Sequence, residues 1–333
     1  MTDGQNRKIF DDTILEIDDL HLWYKVYRDY AKVLNGVNIK VHRGEKVGLV
    51  GEAGCGKTTA MKAVLGLHSF DTAVMPQGEI LFKGKDVLQM NPQELHAVRT
   101  SGISMIYQEP AAALNPVFTI GSHMMDVIQY SAVGMSTTTK AEQKKMALNA
   151  ISEVMIPDAE RIFNCFPHQL SGGMKQRICI AMAIVTQREL MIADEPGTAL
   201  DVTIQDQVHK ILNRLVEMRN MSLVMITHSL GVARELTDSI NVMYAGAVVE
   251  SARTSEVFAR PLHPYTRGLM EAVPRLSGGG VTAGIYGSIP NYLDPPLGCR
   301  FSPRCPRAGE ICKRAAPEFC DAGNGHYVAC FNV

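Results

Sequence analysis

The sequence predicts an α/β fold built on a mainly parallel sheet, followed by a loop-rich C-terminal tail. Three observations carry this. Lys46 to Val50 is a short apolar strand that runs into a glycine-rich loop, Gly51-Glu52-Ala53-Gly54-Cys55-Gly56-Lys57-Thr58, and on into a helix-forming run, Thr58 to Gly66. A second apolar strand, Glu189 to Ala193, ends in the carboxylate pair Asp194-Glu195. A third, Ser222 to Thr227, ends at His228, with the helix-forming run Val202 to Glu217 between the two. Short apolar strands that alternate with helices imply parallel pairing with both faces of the sheet covered.

The remaining segments fit around this core. Ile14 to Ile17 and Leu20 to Tyr24 read as strand segments joined by a turn, and Asn35 to Val41 as a further strand. From 90 to 175 the chain is richer in helix formers, with a helix expected over Lys140 to Val154, so this stretch reads as a helical insertion. Beyond about residue 250 the composition shifts to Pro261, Pro264, Pro274, Gly278-Gly279-Gly280, Pro290, Pro295, Pro296, Pro303 and Pro306. Five of the eight cysteines, Cys299, Cys305, Cys312, Cys320 and Cys330, lie in this tail.

Bulk properties exclude several classes. The 333 residues carry 33 basic and 34 acidic side chains, a net charge of −1. A protein that coats nucleic acid normally has a basic excess, so no nucleic-acid partner is expected. The apolar run Ile178 to Val185 is far short of the roughly 20 residues that span a bilayer. The N-terminus is polar and lacks an apolar signal core, and the chain reads as cytosolic.

Chemistry concentrates at the strand ends. Gly51 to Thr58 fits GxxxxGK(S/T) between a strand and a helix. Gly51, Gly54 and Gly56 let backbone N–H groups wrap phosphate oxygens, Lys57 reaches the terminal phosphates, and the Thr58 hydroxyl holds Mg²⁺. Asp194 sits where a strand end can hold the same ion, and Glu195 is the natural general base for an attacking water. A histidine at a strand end more often serves structure than chemistry. On a parallel sheet, however, ligands bind at the carboxyl ends of strands, within reach of His228. Gln108 likewise follows an apolar strand, Ser104 to Ile106, and by itself reads as a surface glutamine. Leu170 to Arg177, LSGGMKQR, forms a second anion-binding helix start: Ser171, Gly172 and Gly173 expose N–H groups. Its apolar Met174, Ile178, Met182 and Val185 are expected on one helical face. In the tail, Cys299, Cys305, Cys312 and Cys330 supply four thiolates, with Cys320 spare and His326 a further candidate. A 4Fe–4S cluster, tetrahedral zinc or plain reduced cysteines all remain open on spacing alone.

Together these motifs resemble the nucleotide-binding subunit of an ABC transporter over about residues 14–250. Gly51 to Thr58 looks like the Walker A loop, with Thr59 beside it, and Gln108 like the Q-loop. Leu170 to Gln176 matches the signature, Leu190 to Glu195 the Walker B strand, Ala199-Leu200-Asp201 the D-loop and His228 the switch histidine. MIYQEPAAALNP, FPHQLSGGMKQR, DEPGTALDVTIQ, HPYTRGL and GCRFSPRCP are similar to the dipeptide and oligopeptide importer ATPases, which extends the likeness over nearly the whole chain. Ala53, Cys55, Thr58 and Gly197 depart from the family's usual GESGSGKS and DEPTTALD, although Thr58 keeps the hydroxyl.

The resemblance implies a P-loop NTPase fold: a RecA-like core with an antiparallel β subdomain and a helical subdomain, plus a small Cys-rich C-terminal domain. The nucleotide-binding domain is expected over 1–255, its helical subdomain over about 90–175, and the C-terminal domain over 256–333. It implies ATP as ligand, with Mg²⁺ held by Thr58, Gln108 and Asp194, and adenine stacked on an aromatic near the end of the first strand. Tyr24 fits by strand position, with Tyr30 and Trp23 as alternatives. Glu195, His228 and Gln108 take the catalytic roles, and Ser171, Gly172, Gly173 and Asp201 act across a dimer. It further implies a 4Fe–4S cluster on the four cysteines, with zinc as the alternative. The implied partners are a second, non-identical ABC ATPase, two membrane permease subunits and an extracytoplasmic solute-binding protein. The chain would then lie on the cytoplasmic face of the membrane and drive import of peptides, or else of oligosaccharides or nickel. A soluble ABC ATPase acting on nucleic acid or ribosomes is the other class, disfavoured by the near-neutral charge and the short interval between Gln108 and Ser171.

Overall fold

The computed structural model describes residues 12–68, 72–131, 138–198, 200–272 and 284–333. Ala199 of the expected D-loop, Pro274 and the Gly278-Gly279-Gly280 run lie outside the described residues. The strands are β1 (Thr13–Val26), β2 (Asp29–His42), β3 (Lys46–Val50), β4 (Ala73–Phe82), β5 (Lys85–Asp86) and β6 (Ile103–Ile106). They continue with β7 (Leu190–Asp194), β8 (Ser222–Thr227), β9 (Ser239–Tyr244), β10 (Ala247–Arg253), β11 (Cys320–Asp321) and β12 (Tyr327–Val328).

Two sheets form. The first is antiparallel, in the order β2-β1-β4-β5. The second runs β11-β12-β10-β9-β3-β8-β7-β6, and its part from β9 to β6 is parallel. Every residue of β7 and β8 is buried, the result expected of apolar strands covered on both faces. Register aligns the strand ends, pairing Val50 with Thr227, Asp194 with Ile226 and Ile106 with Ala193. The sheet therefore delivers the segments after β3, β8, β7 and β6 to one edge.

Three departures from the sequence reading have local causes. The expected turn between Ile17 and Leu20 is a bulge inside the continuous strand β1. Asp19 there adopts φ +45° and its N–H donates to Asn38 Oδ1 at 3.0 Å, so the extra residue is absorbed without ending the strand. Second, the stretch read as a helical insertion contributes β6 to the main sheet, parallel to β7, before its helices Ile120–Gln129 and Lys140–Glu153 begin. Third, the helix Gly172–Ile184 does not bury a single stripe. Ile178, Cys179, Ile180, Ala181, Ala183 and Ile184 are all buried, while Met174 and Met182 are half-buried. This helix packs against Ile120–Gln129, Lys140–Glu153, Val202–Met218 and β6 together, so most of its circumference is covered.

The tail is not packed apart from the sheet. Its β12 pairs with β10, matching Glu250 to Val328 and Ser251 to Tyr327. Phe301 joins the same buried cluster as Val50, Tyr244 and Tyr265, with Cys299 and Cys305 packed against it. Glu250, fully buried, accepts the N–H groups of Leu262 and His263, each at 2.8 Å, and lies 2.7 Å from His326 Nε2. A buried carboxylate with three donors locks the tail onto β10.

Candidate active site

The glycine loop leaves β3 under tight steric control. A Cβ on Gly51 would stand 2.1 Å from the Met243 carbonyl oxygen, so the backbone passes there only without a side chain. Gly56 caps the helix Lys57–Val64 at φ +104° with no side-chain cap, which leaves the first N–H groups of that helix available to an anion. Lys57 is buried inside the loop, its ammonium donating to the carbonyls of Gly51 at 2.8 Å and Glu52 at 3.0 Å. Cys55 is fully buried in the loop floor, where burial pushes its thiol up.

The next strand ends assemble around Glu195. Its Oε2 receives Gln108 Nε2 at 3.2 Å and Thr198 Oγ1 at 3.1 Å, and His228 Nδ1 lies 3.1 Å from the same oxygen. Residues far apart in sequence thus meet at one atom, and Thr198 is a member that sequence reasoning missed. Glu195 itself holds φ +45°, a left-handed backbone that a non-glycine residue adopts only at a cost, while its N–H donates to Ile226 O at 2.9 Å. Thr58 Oγ1 donates to Asp194 Oδ2 at 2.8 Å. Burial raises the Asp194 carboxyl above its ordinary range, and the Thr58 hydrogen bond pulls the other way. A hydroxyl and a carboxylate at the loop exit are the hard oxygen donors Mg²⁺ prefers, with phosphate and water completing its shell.

Ser171 caps the helix Gly172–Ile184, its Oγ accepting the Met174 N–H at 3.3 Å; Ser171 and Gly172 are exposed. Gly173 has a further reason to be glycine, since a Cβ there would stand 2.7 Å from Ile204 Cγ2 on the facing helix. Asp201 caps that helix by accepting the Ile204 N–H at 3.0 Å. Tyr24 is half-buried against the core of the first sheet, and burial pushes its phenol up. Trp23 instead has Lys32 Nζ 5.4 Å from its ring centre and Tyr30 at 6.4 Å.

The four tail cysteines share one neighbourhood. Burial pushes the Cys299 thiol up, and Cys312, Cys305 and Cys330 add to the shift by proximity. Cys299 N–H donates to Cys312 O at 2.8 Å, and Asn332 N–H lies 3.4 Å from Cys330 Sγ. Among the described residues, no group of three or more His, Cys, Asp or Glu side chains is arranged to hold a metal. His326, the further candidate ligand, is hydrogen-bonded to Glu250. Sequence reasoning also missed Tyr265, Tyr292 and Arg304, whose side chains reach the phosphate loop from the tail. The signal was in plain view, because HPYTRGL and GCRFSPRCP contain two of the three.

The profile of the ABC transporter family matches residues 34–198, and that described as oligopeptide/dipeptide transporter, C-terminal region, matches residues 249–312. The chain belongs to this family. The oligopeptide transport ATP-binding protein OppD of Salmonella typhimurium is 41% identical over 91% of this chain and 89% of its own. The dipeptide transport ATP-binding protein DppD of Bacillus subtilis is 37% identical over 96% of this chain and 94% of its own. Among solved structures, cbiO1 of Clostridium perfringens, part of an ABC transporter complex, aligns with TM-score 0.63 and 25% identity over 75% of this chain and 92% of its own. The ATP-binding cassette MJ0796, solved as a dimer with ADP and Pi, aligns with TM-score 0.64 over 72% of this chain and 98% of its own; at 24% identity it shows the fold alone. The family chemistry is ATP hydrolysis.

Proposed function

We propose that this ATPase powers import of dipeptides or oligopeptides through a membrane ABC transporter. One observation carries the reading. The phosphate loop, Gln108, Asp194-Glu195 and His228 converge at one sheet edge, in a chain whose C-terminal region matches the peptide-transporter profile.

The residues supply the chemistry as follows. Loop N–H groups and Lys57 bind the phosphates, and Glu195 accepts a proton from the attacking water. Gln108 and His228, both within hydrogen-bonding range of Glu195, orient that water and the terminal phosphate. Thr58 and Asp194, together with Gln108, would hold Mg²⁺, which would supply positive charge against the phosphates. Adenine stacks on Tyr24, with Trp23 and Tyr30 the alternatives that substitution separates.

The nucleotide-binding unit spans 1–255, with its helical part within about 90–175 and following β6, and the C-terminal region spans 256–333. The chain pairs with a second, non-identical ABC ATPase on the cytoplasmic face of the membrane, beneath two permease subunits served by a solute-binding protein. Support for permease docking comes from Tyr107, Val117 and Phe118, exposed apolar side chains flanking Gln108, Asn115 and Pro116. Among the described residues no helix is long and apolar enough to cross a membrane. A 4Fe–4S cluster on Cys299, Cys305, Cys312 and Cys330 is supported by the donor set and its closeness alone; zinc without iron in anaerobically purified protein would overturn it.

Uptake of labelled di- and tetrapeptides by cells lacking the chain, and by cells complemented with it or with Glu195→Gln, tests the function. Peptide uptake restored only by the parent chain is expected. Restored uptake of oligosaccharide or nickel, with peptide uptake unaffected throughout, would contradict the substrate.

A further inference from the structure

Glu52, the second residue of the phosphate loop, brings a negative charge into a segment built to receive polyphosphate. Arg304 from the tail takes up that charge. Its Nη1 donates to Glu52 Oε2 at 2.9 Å and its Nη2 to Oε1 at 3.1 Å, a two-pronged pairing. The arginine side chain is only 6% exposed. It also donates to the carbonyls of Ile285 and Tyr286, each at 3.0 Å, and its guanidinium stands 5.7 Å from the Tyr244 ring centre. An arginine so fixed differs from the flexible surface partners whose ion pairs contribute little.

Two phenols hold the same loop by its backbone. Tyr265 Oη accepts the Glu52 N–H at 2.9 Å, and Tyr292 Oη donates to the Gly54 carbonyl at 2.7 Å. Burial pushes both phenols up, so Tyr292 keeps the proton it donates and Tyr265 accepts as a neutral hydroxyl. Phe301 aims the arginine. It is buried among Tyr244, Tyr265 and His263, with ring centres 5.1, 5.5 and 5.6 Å away. The backbone then turns, Ser302 N–H to Cys299 O at 2.9 Å and Arg304 N–H to Phe301 O at 3.0 Å, and presents Arg304 to Glu52.

We propose that Arg304, together with Tyr265 and Tyr292, is a positioning residue for ATP: the tail neutralises Glu52 and sets the shape of the phosphate loop. This rests on the loop being the ATP site. Contacts of this kind act alike on bound ATP and on the transition state, so they should govern KM rather than kcat. Without Arg304, a half-desolvated carboxylate would repel the incoming phosphates.

Steady-state ATP hydrolysis by the full chain, assembled with its partners where turnover requires them, tests this, with Lys57→Ala run alongside. Arg304→Met should raise the KM for ATP about tenfold with kcat within about twofold. Adding Glu52→Gln to Arg304→Met should recover most of the loss, because the unpaired charge is then gone. An unchanged KM in Arg304→Met, or a double variant as impaired as the single one, would overturn the proposal. If Arg304→Met does not fold, Tyr292→Phe deletes one hydroxyl: a KM raised about threefold supports the proposal and an unchanged KM overturns it. Activity lost in Lys57→Ala but normal in Arg304→Met sinks the clamp alone, whereas activity retained in Lys57→Ala sinks the ATP site.

Discussion

The phosphate loop and the start of the helix Gly172–Ile184 are both glycine clusters at a helix N-terminus, yet the chain finishes only one of them. Around the loop, Tyr265, Tyr292, Arg304 and the Gly246 N–H hold Glu52, Gly54 and Cys55 in place. At the signature, Ser171 and Gly172 stand exposed, and the capping bond from Met174 is the contact that orders Ser171 Oγ. Gly173 is pressed against Ile204, so the helix is fixed in position while Ser171 and Gly172 before it stay exposed. A preformed loop and an exposed signature would be complementary halves of a site shared with the proposed partner ATPase. The contrast supports a site whose second half comes from another chain.

Disturbing the tail's anchor should have the largest effect on stability. Glu250→Ala leaves Leu262 N–H, His263 N–H and His326 without their buried acceptor, which should cost about 3–5 kcal/mol in denaturant unfolding. A loss below about 1 kcal/mol would show that the tail is not anchored through this residue. At the signature, Gly173→Ala forces a methyl to within 2.7 Å of Ile204 Cγ2 and should cost about 1–3 kcal/mol, partly relieved by a companion Ile204→Ala. No relief from the companion would contradict the close helix contact.

A further effect is a pH dependence. Burial pushes the His263 imidazole down to about 3, whereas an unfolded histidine titrates near about 6.5. Below that pH the unfolded chain takes up a proton that the folded chain does not. The stability supplied by neutral His263 is therefore complete above about pH 6.5 and lost as pH falls, at about 1.4 kcal/mol per pH unit. His263→Asn keeps an acceptor for the Tyr265 N–H and should flatten the slope between about pH 6 and 4.5 by close to one proton. Parallel stability curves would rule this out.

Much of the site was legible because its chemistry is written in contiguous strings at strand ends. The loop, Asp194-Glu195 and the Ser222–Thr227 strand before His228 stand where apolar runs stop, and β8 has the predicted bounds. Other parts depend on contacts between distant residues. The convergence of Gln108, Thr198 and His228 on one oxygen of Glu195 is set by the strand order β8-β7-β6, which local pattern does not encode. The bulge at Asp19 looked like a turn because local residue types do not reveal the pairing of β1 with β2 across it. Gly173 read as a donor of N–H groups, and its second role appears only with Ile204 against it. The four cysteines are a further case, since spacing alone did not reveal that Cys299 lies close to Cys305, Cys312 and Cys330.

The most direct test of the shared-site account is nucleotide trapping in the assembled ATPase pair, with this chain carrying Ser171→Arg and its phosphate loop intact. Vanadate with a photoreactive ATP analogue marks the chain on which hydrolysis took place. The account predicts that trapping is lost from the partner chain and retained on this one. Trapping lost from this chain and kept on its partner would contradict it.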